Sequence, residues 1–181
     1  IIIELPLSLP YLLLGLSLLI MFSSPAGKWL KEQGFKVVFS PAGIVMAHIL
    51  VNLPYAIRLI RTAFEASDQR MEFIALTLGA SPWRCFLTIL LPLCRRSLVS
   101  TFILTWSRAL GEFGATLMLV GITRFKTETL PGSIYLSIST GDNQAAMATA
   151  MLMLIISGLT LFLSRLLASP ADRNKRQVLI R

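Results

Sequence analysis

The stretch that decides the fold is MEFIALTLGASPWRCFLTILLP, residues 71–92. Two helical signals meet inside it. Gly79 tolerates the positive φ that commonly ends a helix, and Ser81 followed by Pro82 is a typical helix start. The stretch therefore predicts a short helix, a sharp turn and a second helix, and its apolar run ends at Pro92. Because this folded segment connects two apolar segments, we interpret it as a docking surface.

Four apolar segments accompany this stretch, and each approaches the roughly 20 residues that a membrane-spanning helix needs. They are predicted over residues 5–22, 41–60, 98–120 and 145–167. The chain is accordingly predicted to be all-α, a polytopic membrane helix bundle of about four transmembrane helices. Residues 1–168 would form one transmembrane domain, and residues 169–181 a basic tail.

The composition excludes an ordinary soluble domain. Of the 181 residues, 55% are hydrophobic and 14% are charged, whereas soluble domains are about 25% charged. The formal net charge of +8 is typical of basic loops in membrane proteins. No basic patch alternates with aromatic residues, so we expect no nucleic-acid binding. Cys85 and Cys94 have no partners at metal-ligand spacing, which predicts two free thiols and no metal site.

Polar and charged residues interrupt two of the predicted spans. Residues 107–116 read SRALGEFGAT, and Arg108 and Glu112 are four residues apart, so they can pair on one helix face. Charges at membrane depth are costly unless they face protein or water, and small residues let a neighbouring helix approach closely. His48 is either a hydrogen-bonded helix contact or a pathway group. The candidates for a polar pathway or for helix packing, which are compatible alternatives, are Arg108, Gly111, Glu112, Gly114 and Thr116.

The distribution of lysine and arginine orients the spans. Four spans place both termini on the same side as residues 71–92, and this side carries more basic residues than the other. The positive-inside rule therefore places residues 71–92 and the C-terminal tail in the cytoplasm. Residues 130–138 are mildly apolar but too short to span, which predicts a re-entrant or interfacial segment.

The sequence contains none of the common catalytic motifs. It has no GxxxxGK[ST] phosphate loop, no nucleophile elbow and no HExxH helix. We therefore expect the chain not to be an enzyme and to need no cofactor. Transport by such a chain requires energy from an ion gradient or from a separate ATPase.

Residues 78–92 resemble the cytoplasmic loop of permease subunits of bacterial and archaeal ABC importers. The motif of that family is Glu-Ala-Ala, then any three residues and Gly, then any nine residues and Ile, then any one residue and Leu-Pro. In this chain, Gly79, Ile89 and Leu91-Pro92 match the second half of the motif. The first half departs from the pattern, because residues 73–75 are Phe-Ile-Ala. The resemblance implies a short cytoplasmic coupling helix within residues 71–92 that docks on an ATPase. Its candidate contact residues are Leu78, Gly79, Ala80, Ser81, Trp83, Arg84 and Phe86.

Residues 108–116, RALGEFGAT, look like the corresponding segment of molybdate and tungstate permeases, which are grouped with sulfate permeases. Residues 126–131 (KTETLP) and 5–10 (LPLSLP) extend the match. The resemblance implies a transmembrane permease subunit that forms the translocation pathway of an ATP-driven oxyanion importer, with molybdate or tungstate favoured. Family members carry at least one further N-terminal span, which this chain is expected to lack.

The resemblance also implies partners and a location. These are cytoplasmic ABC ATPase subunits, an extracytoplasmic oxyanion-binding protein, a second permease in a homodimer, and the lipid of the inner (cytoplasmic) membrane. Three alternatives stay open: a sulfate or thiosulfate permease, a truncated fragment without transport function, and a transporter driven by an ion gradient. The last predicts inverted repeats, and no convincing repeat is visible in the sequence.

Overall fold

The structure is a computed structural model that describes residues 9–167. Its regular elements are helices, and no described residue forms a strand, which confirms the all-α prediction. The basic tail and the start of the first predicted span, residues 5–8, lie outside the described residues. The helices are α1 (Tyr11–Ser23), α2 (Pro25–Glu32), α3 (Pro41–Glu65), α4 (Gln69–Thr77), α5 (Pro82–Leu110), α6 (Gly114–Val120), α7 (Leu130–Ser139) and α8 (Asn143–Leu167).

Three of these helices, α3, α5 and α8, are long and apolar enough to cross a membrane. The helices α1 and α2 form a bent pair that would supply a fourth candidate span. Two predicted spans, 41–60 and 145–167, coincide with α3 and α8, and α3 continues to Glu65. Helix α7 falls on the mildly apolar residues 130–138 and, with 10 residues, is too short to span.

The third predicted span, residues 98–120, is not one helix. Helix α5 starts at Pro82, passes through a π-helical turn at Phe86–Leu90 and ends at Leu110, and α6 is a separate helix. Pro92, which ends the apolar run in the sequence, lies inside α5, so the helix that begins at Pro82 continues into the first part of the predicted third span. A proline cannot donate its helical hydrogen bond, and the wider π turn rearranges the bonds directly before it. Gly111 favours the end of α5 at Leu110, since glycine has a low helix propensity.

Residues 9–55 and 106–159 form one compact unit. Helices α1 and α6 approach closely at Gly15, where a Cβ atom would lie 2.6 Å from the Cα of Ala115. A Cβ atom on Gly43, at the start of α3, would lie even closer to the carbonyl oxygen of Val37. Such backbone contact at small residues is typical of helix packing in membranes. The buried hydrophobic core of this unit consists of Phe22, Val37, Ala47, Val51, Ala115, Leu119 and Val120.

Residues 56–105 and 160–167 belong to a second compact unit. Its two cysteines, Cys85 and Cys94, are free thiols, as predicted, and both are buried. The Cys85 thiol donates to the carbonyl of Glu72 at 3.9 Å, and the Cys94 thiol donates to the carbonyl of Ala63 at 3.6 Å. These weak sulfur hydrogen bonds place α4 and the end of α3 against α5.

Candidate functional site

Backbone hydrogen bonds hold the end of α4 in a defined turn. Gly79 has φ +86°, its N–H donates to the carbonyl of Leu76 at 3.1 Å, and the Ala80 N–H donates to the carbonyl of Ala75 at 3.0 Å. These two bonds form a Schellman motif, which ends a helix at a residue with positive φ. The predicted end of a helix at Gly79 is therefore confirmed.

A side-chain cap fixes the start of α5. The hydroxyl of Ser81 accepts a hydrogen bond from the N–H of Arg84 at 3.3 Å, and Pro82 occupies the first helical position. A serine cap of this kind stabilises a helix by about 1 kcal/mol. The predicted helix start at Ser81 is confirmed, and four residues, 78–81, separate the two helices.

Large apolar side chains are exposed around this turn. The exposed fraction is 82% for Leu78, 71% for Trp83 and 69% for Phe73, and Ile74 is also exposed. We call these four residues the turn surface. Sequence reasoning missed Phe73 and Ile74 as surface residues, although they stand where the importer pattern has the first two residues of Glu-Ala-Ala.

Contacts between aromatic rings support the turn surface. The rings of Trp83 and Phe86 lie 5.7 Å apart and nearly parallel, and Phe86 contacts Phe64 of α3 at 5.9 Å between centroids. The half-buried Phe86 therefore packs between the exposed indole and Phe64. Among the other predicted contact residues, Arg84 is exposed and Ala80 is half-buried.

Arg108 and Glu112 do not form the predicted ion pair. The guanidinium of Arg108 lies over the rings of Tyr11 and Tyr55, at 5.2 Å and 4.8 Å from their centroids. Helix α5 ends at Leu110, so Glu112 does not continue the helical face on which Arg108 lies. Cation–π contacts of this geometry are favourable, especially away from water. No sequence signal identifies Tyr11 and Tyr55, because the contact joins three separate elements.

The carboxylate of Glu112 instead supports α6. Its side chain is buried, and Oε1 accepts a hydrogen bond from the N–H of Ala115 at 2.8 Å. This bond satisfies one of the N–H groups that the first turn of a helix leaves unpaired. Gly114 packs against α1, since a Cβ there would lie 3.2 Å from the backbone nitrogen of Leu12. Gly111 has more space, with its nearest neighbour at 3.6 Å.

Three buried polar atoms in the first unit make no hydrogen bond with the described residues: Nε2 of His48, Oδ1 of Asn52 and Oγ1 of Thr116. The other amide atom of Asn52, Nδ2, donates to the carbonyl of His48 at 2.8 Å. Buried polar atoms normally have partners, so these atoms are candidates for contacts with water or a ligand. Within residues 9–167, no cluster of three or more histidine, cysteine or acidic side chains could hold a metal.

Comparison with known proteins identifies the family. Residues 1–171 match the family described as the binding-protein-dependent transport system inner membrane component. The chain belongs to this family. It is a multi-pass membrane protein, and the resemblance to importer permeases is confirmed.

Individual relatives of this permease family are transport proteins. The molybdenum transport system permease protein of Mycobacterium tuberculosis is 38% identical over 157 residues, which cover 86% of this chain and 59% of that protein. Its Haemophilus influenzae counterpart is 36% identical over 180 residues, covering 97% and 79%. The sulfate transport system permease protein of Escherichia coli is 34% identical over 161 residues, covering 88% and 58%. The chain thus spans about three fifths of the length of the mycobacterial relative.

Proposed function

We propose that the chain forms part of the translocation pathway of an ATP-driven importer for an oxyanion, with molybdate as the first candidate. The observation that carries this proposal is the turn surface. Leu78 and Trp83 expose large apolar areas on a turn held by hydrogen bonds at both ends. A rigid apolar surface between two candidate spans is suited to binding another protein.

The partner of the turn surface is a cytoplasmic ABC ATPase. The chain has no phosphate loop of its own, so ATP hydrolysis occurs in separate subunits, and the permease itself is not an enzyme. The basic residues near the turn support a cytoplasmic position. Leu78, Trp83 and Arg84 contact the ATPase, while Gly79, Ala80, Ser81 and Phe86 maintain the geometry of the turn.

Helix α5 can couple movement of the ATPase to movement of the permease, because it continues from the turn. Helix α5 runs without a break from the turn at Pro82 to Leu110, so a displacement of its first turn is transmitted along its length. ATP binding closes the ATPase subunits and moves this end of the permease as a rigid body. The ATPase has to bind the two permease conformations with different affinity, since equal affinity would shift no equilibrium.

The segment from Arg108 to Thr116 has a packing role and a pathway role. Arg108, Glu112 and Gly114 hold α1, α5 and α6 together through the contacts described above. The unpartnered atoms of His48, Asn52 and Thr116 supply polar groups for the pathway. Arg108 is not assigned to anion binding, because its guanidinium is already engaged by two tyrosine rings.

The relatives support the choice of substrate. Two of those described above are molybdenum permeases, and the RALGEFGAT segment resembles this group. Tungstate is a second tetrahedral dianion of the same class. Sulfate is the alternative substrate, and the E. coli sulfate permease, at 34% identity, favours it as the second candidate.

The complete importer would contain two permeases, two ATPase subunits and an extracytoplasmic binding protein in the inner membrane. Its test is reconstitution of the full-length permease in liposomes with a candidate ATPase and binding protein. We expect co-purification of the ATPase, and ATP hydrolysis stimulated by molybdate-loaded binding protein more than by the sulfate-loaded form. A preference for sulfate would support the second candidate.

The double variant Gly79→Val/Trp83→Ala tests the docking assignment in the same assay. We expect it to remain in the membrane and to lose both ATPase retention and transport. Phe125→Ala is the control, since Phe125 is 99% exposed and lies outside residues 71–92. Normal transport by the double variant, with hydrolysis still coupled, would show that the docking assignment is wrong.

A further inference from the structure

Three lysines line a cavity of about 350 Å³ beside α2. Lys28 and Lys31 belong to α2, and Lys36 follows the turn after it. Buried Phe22 and Val37 also line the cavity and supply apolar wall. Within residues 9–167, none of the three lysines forms an ion pair with a carboxylate. Three lysines that line one cavity, with no ion pair to another described residue, suit a single anionic group.

The residues around the cavity are typical of a membrane–water boundary. The apolar helix α1 ends at Ser23, and the chain bends by 67° into α2. Trp29 of α2 is 59% exposed, and the cavity-lining Phe35 and Phe39 are 46% and 59% exposed. Lysines beside exposed aromatic residues on a short helix are typical of segments that lie in the lipid headgroup region.

We propose that this cavity binds the phosphodiester group of an anionic phospholipid. Lys28, Lys31 and Lys36 contact the phosphate oxygens, and Phe35 and Phe39 contact the glycerol and the first acyl carbons. A free tetrahedral oxyanion offers similar oxygens but has no apolar part for the two rings, so the lining favours the lipid. The site does not depend on transport, and its occupant holds α2 at the membrane boundary.

The charged residues around the cavity favour an anionic ligand. Glu32 is the only acidic residue in the sequence between positions 25 and 40, and it does not line the cavity. A lysine close to an anionic lipid surface contributes enough for an affinity change of about fivefold. Each single lysine-to-glutamine variant should therefore weaken lipid binding about fivefold, and the triple variant by on the order of 100-fold.

Native mass spectrometry of the full-length permease in detergent, titrated with phosphatidylglycerol or phosphatidylcholine, tests the proposal. We expect one tightly bound phosphatidylglycerol per chain, and weaker binding of zwitterionic phosphatidylcholine. The triple variant Lys28→Gln/Lys31→Gln/Lys36→Gln should lose this adduct, and replacement of all three by arginine should retain it. The matched control is Arg124→Gln/Lys126→Gln, which removes two exposed cations from another loop and should leave the adduct unchanged.

Competition with inorganic phosphate and with molybdate distinguishes a lipid from a free oxyanion. If the site takes a lipid, millimolar concentrations of either anion leave the bound phosphatidylglycerol in place. Displacement by either anion would overturn the lipid proposal in favour of a free-oxyanion site. Equal binding by the wild type and the glutamine triple variant would overturn it as well, as would equal binding of the two phospholipids.

Discussion

Replacing Gly79 by alanine isolates the contribution of the turn geometry to function. Gly79 has φ +86°, and a Cβ atom at this position would have no heavy-atom neighbour within 4 Å. The methyl group therefore causes no steric clash and removes no contact. What remains is the cost of holding an L-amino acid in the left-handed region, about 1–2 kcal/mol.

This cost predicts the size of the functional effect. A change of about 1–2 kcal/mol lowers the equilibrium constant for the native turn about 5- to 30-fold. If the ATPase binds only the native turn, its apparent affinity falls by up to the same factor, since a smaller fraction of the permease is competent to bind.

Gly141 supplies a matched control. It has φ +78°, it also has no heavy atom within 4 Å of its Cβ position, and it lies between α7 and α8. Gly141→Ala therefore carries a similar backbone cost at a site outside the turn surface. We expect the two variants to lower the thermal unfolding midpoint in detergent by similar amounts.

The assay compares ATPase retention on the immobilised permease and transport in liposomes. We expect Gly79→Ala to reduce ATPase retention by at most about 5- to 30-fold and Gly141→Ala to leave it near the wild-type value. The reasoning is refuted if both variants retain the ATPase equally, or if Gly79→Ala unfolds like Gly141→Ala but transports normally.

Three further variants separate surface from packing roles. Trp83→Ala should leave the unfolding midpoint unchanged because the side chain is 71% exposed, and it should weaken ATPase binding about 30-fold, as at an interface hot spot; unaltered binding, as expected for Phe125→Ala, would contradict this. Glu112→Ala should lower the free energy of unfolding by about 1–3 kcal/mol because the buried N–H of Ala115 loses its acceptor. The control Glu65→Ala breaks an exposed ion pair worth less than about 1 kcal/mol, and equal chemical-denaturation curves for the two variants would contradict a stabilising role of Glu112 at the start of α6. Gly15→Ala should cost about 1–3 kcal/mol in the same measurement, since its Cβ would lie 2.6 Å from the α6 backbone, and an unchanged curve would show that the helices separate freely.

Local backbone chemistry made several elements predictable from the sequence. Gly79 ends α4 and Ser81 caps α5 because the required conformations and hydrogen bonds involve residues within a few positions. The same local chemistry starts α3, where Pro41 is the first residue and the Ser40 hydroxyl accepts a hydrogen bond from the N–H of Gly43. The family could also be inferred from the sequence, since the spacing from Gly79 to Leu91-Pro92 is a linear pattern.

The length of α5 was only partly predictable from the sequence. Its apolar character was visible, but the helix that begins at Pro82 and the span over residues 98–120 were predicted as separate elements. A proline inside a helix is tolerated when the neighbouring hydrogen bonds can rearrange, and the π turn at Phe86–Leu90 provides that rearrangement. Whether a helix accepts such a turn depends on its whole packing environment, so the local signal was misleading.

Tertiary structure alone decided which side chains meet. By itself, the sequence determined where α4 ends, where α5 begins, and that the chain forms apolar helices long enough to span a membrane, because these features follow from local geometry and from hydrophobic length. The permease family followed from the resemblance of a linear motif. The sequence also suggested a pair between Arg108 and Glu112, since spacing of four residues brings side chains together on a continuous helix. In the fold, that helix ends at Leu110, the guanidinium lies over Tyr11 and Tyr55, and three lysines line one cavity. The contacts of the guanidinium join residues that are distant in the sequence, so sequence spacing alone does not predict them.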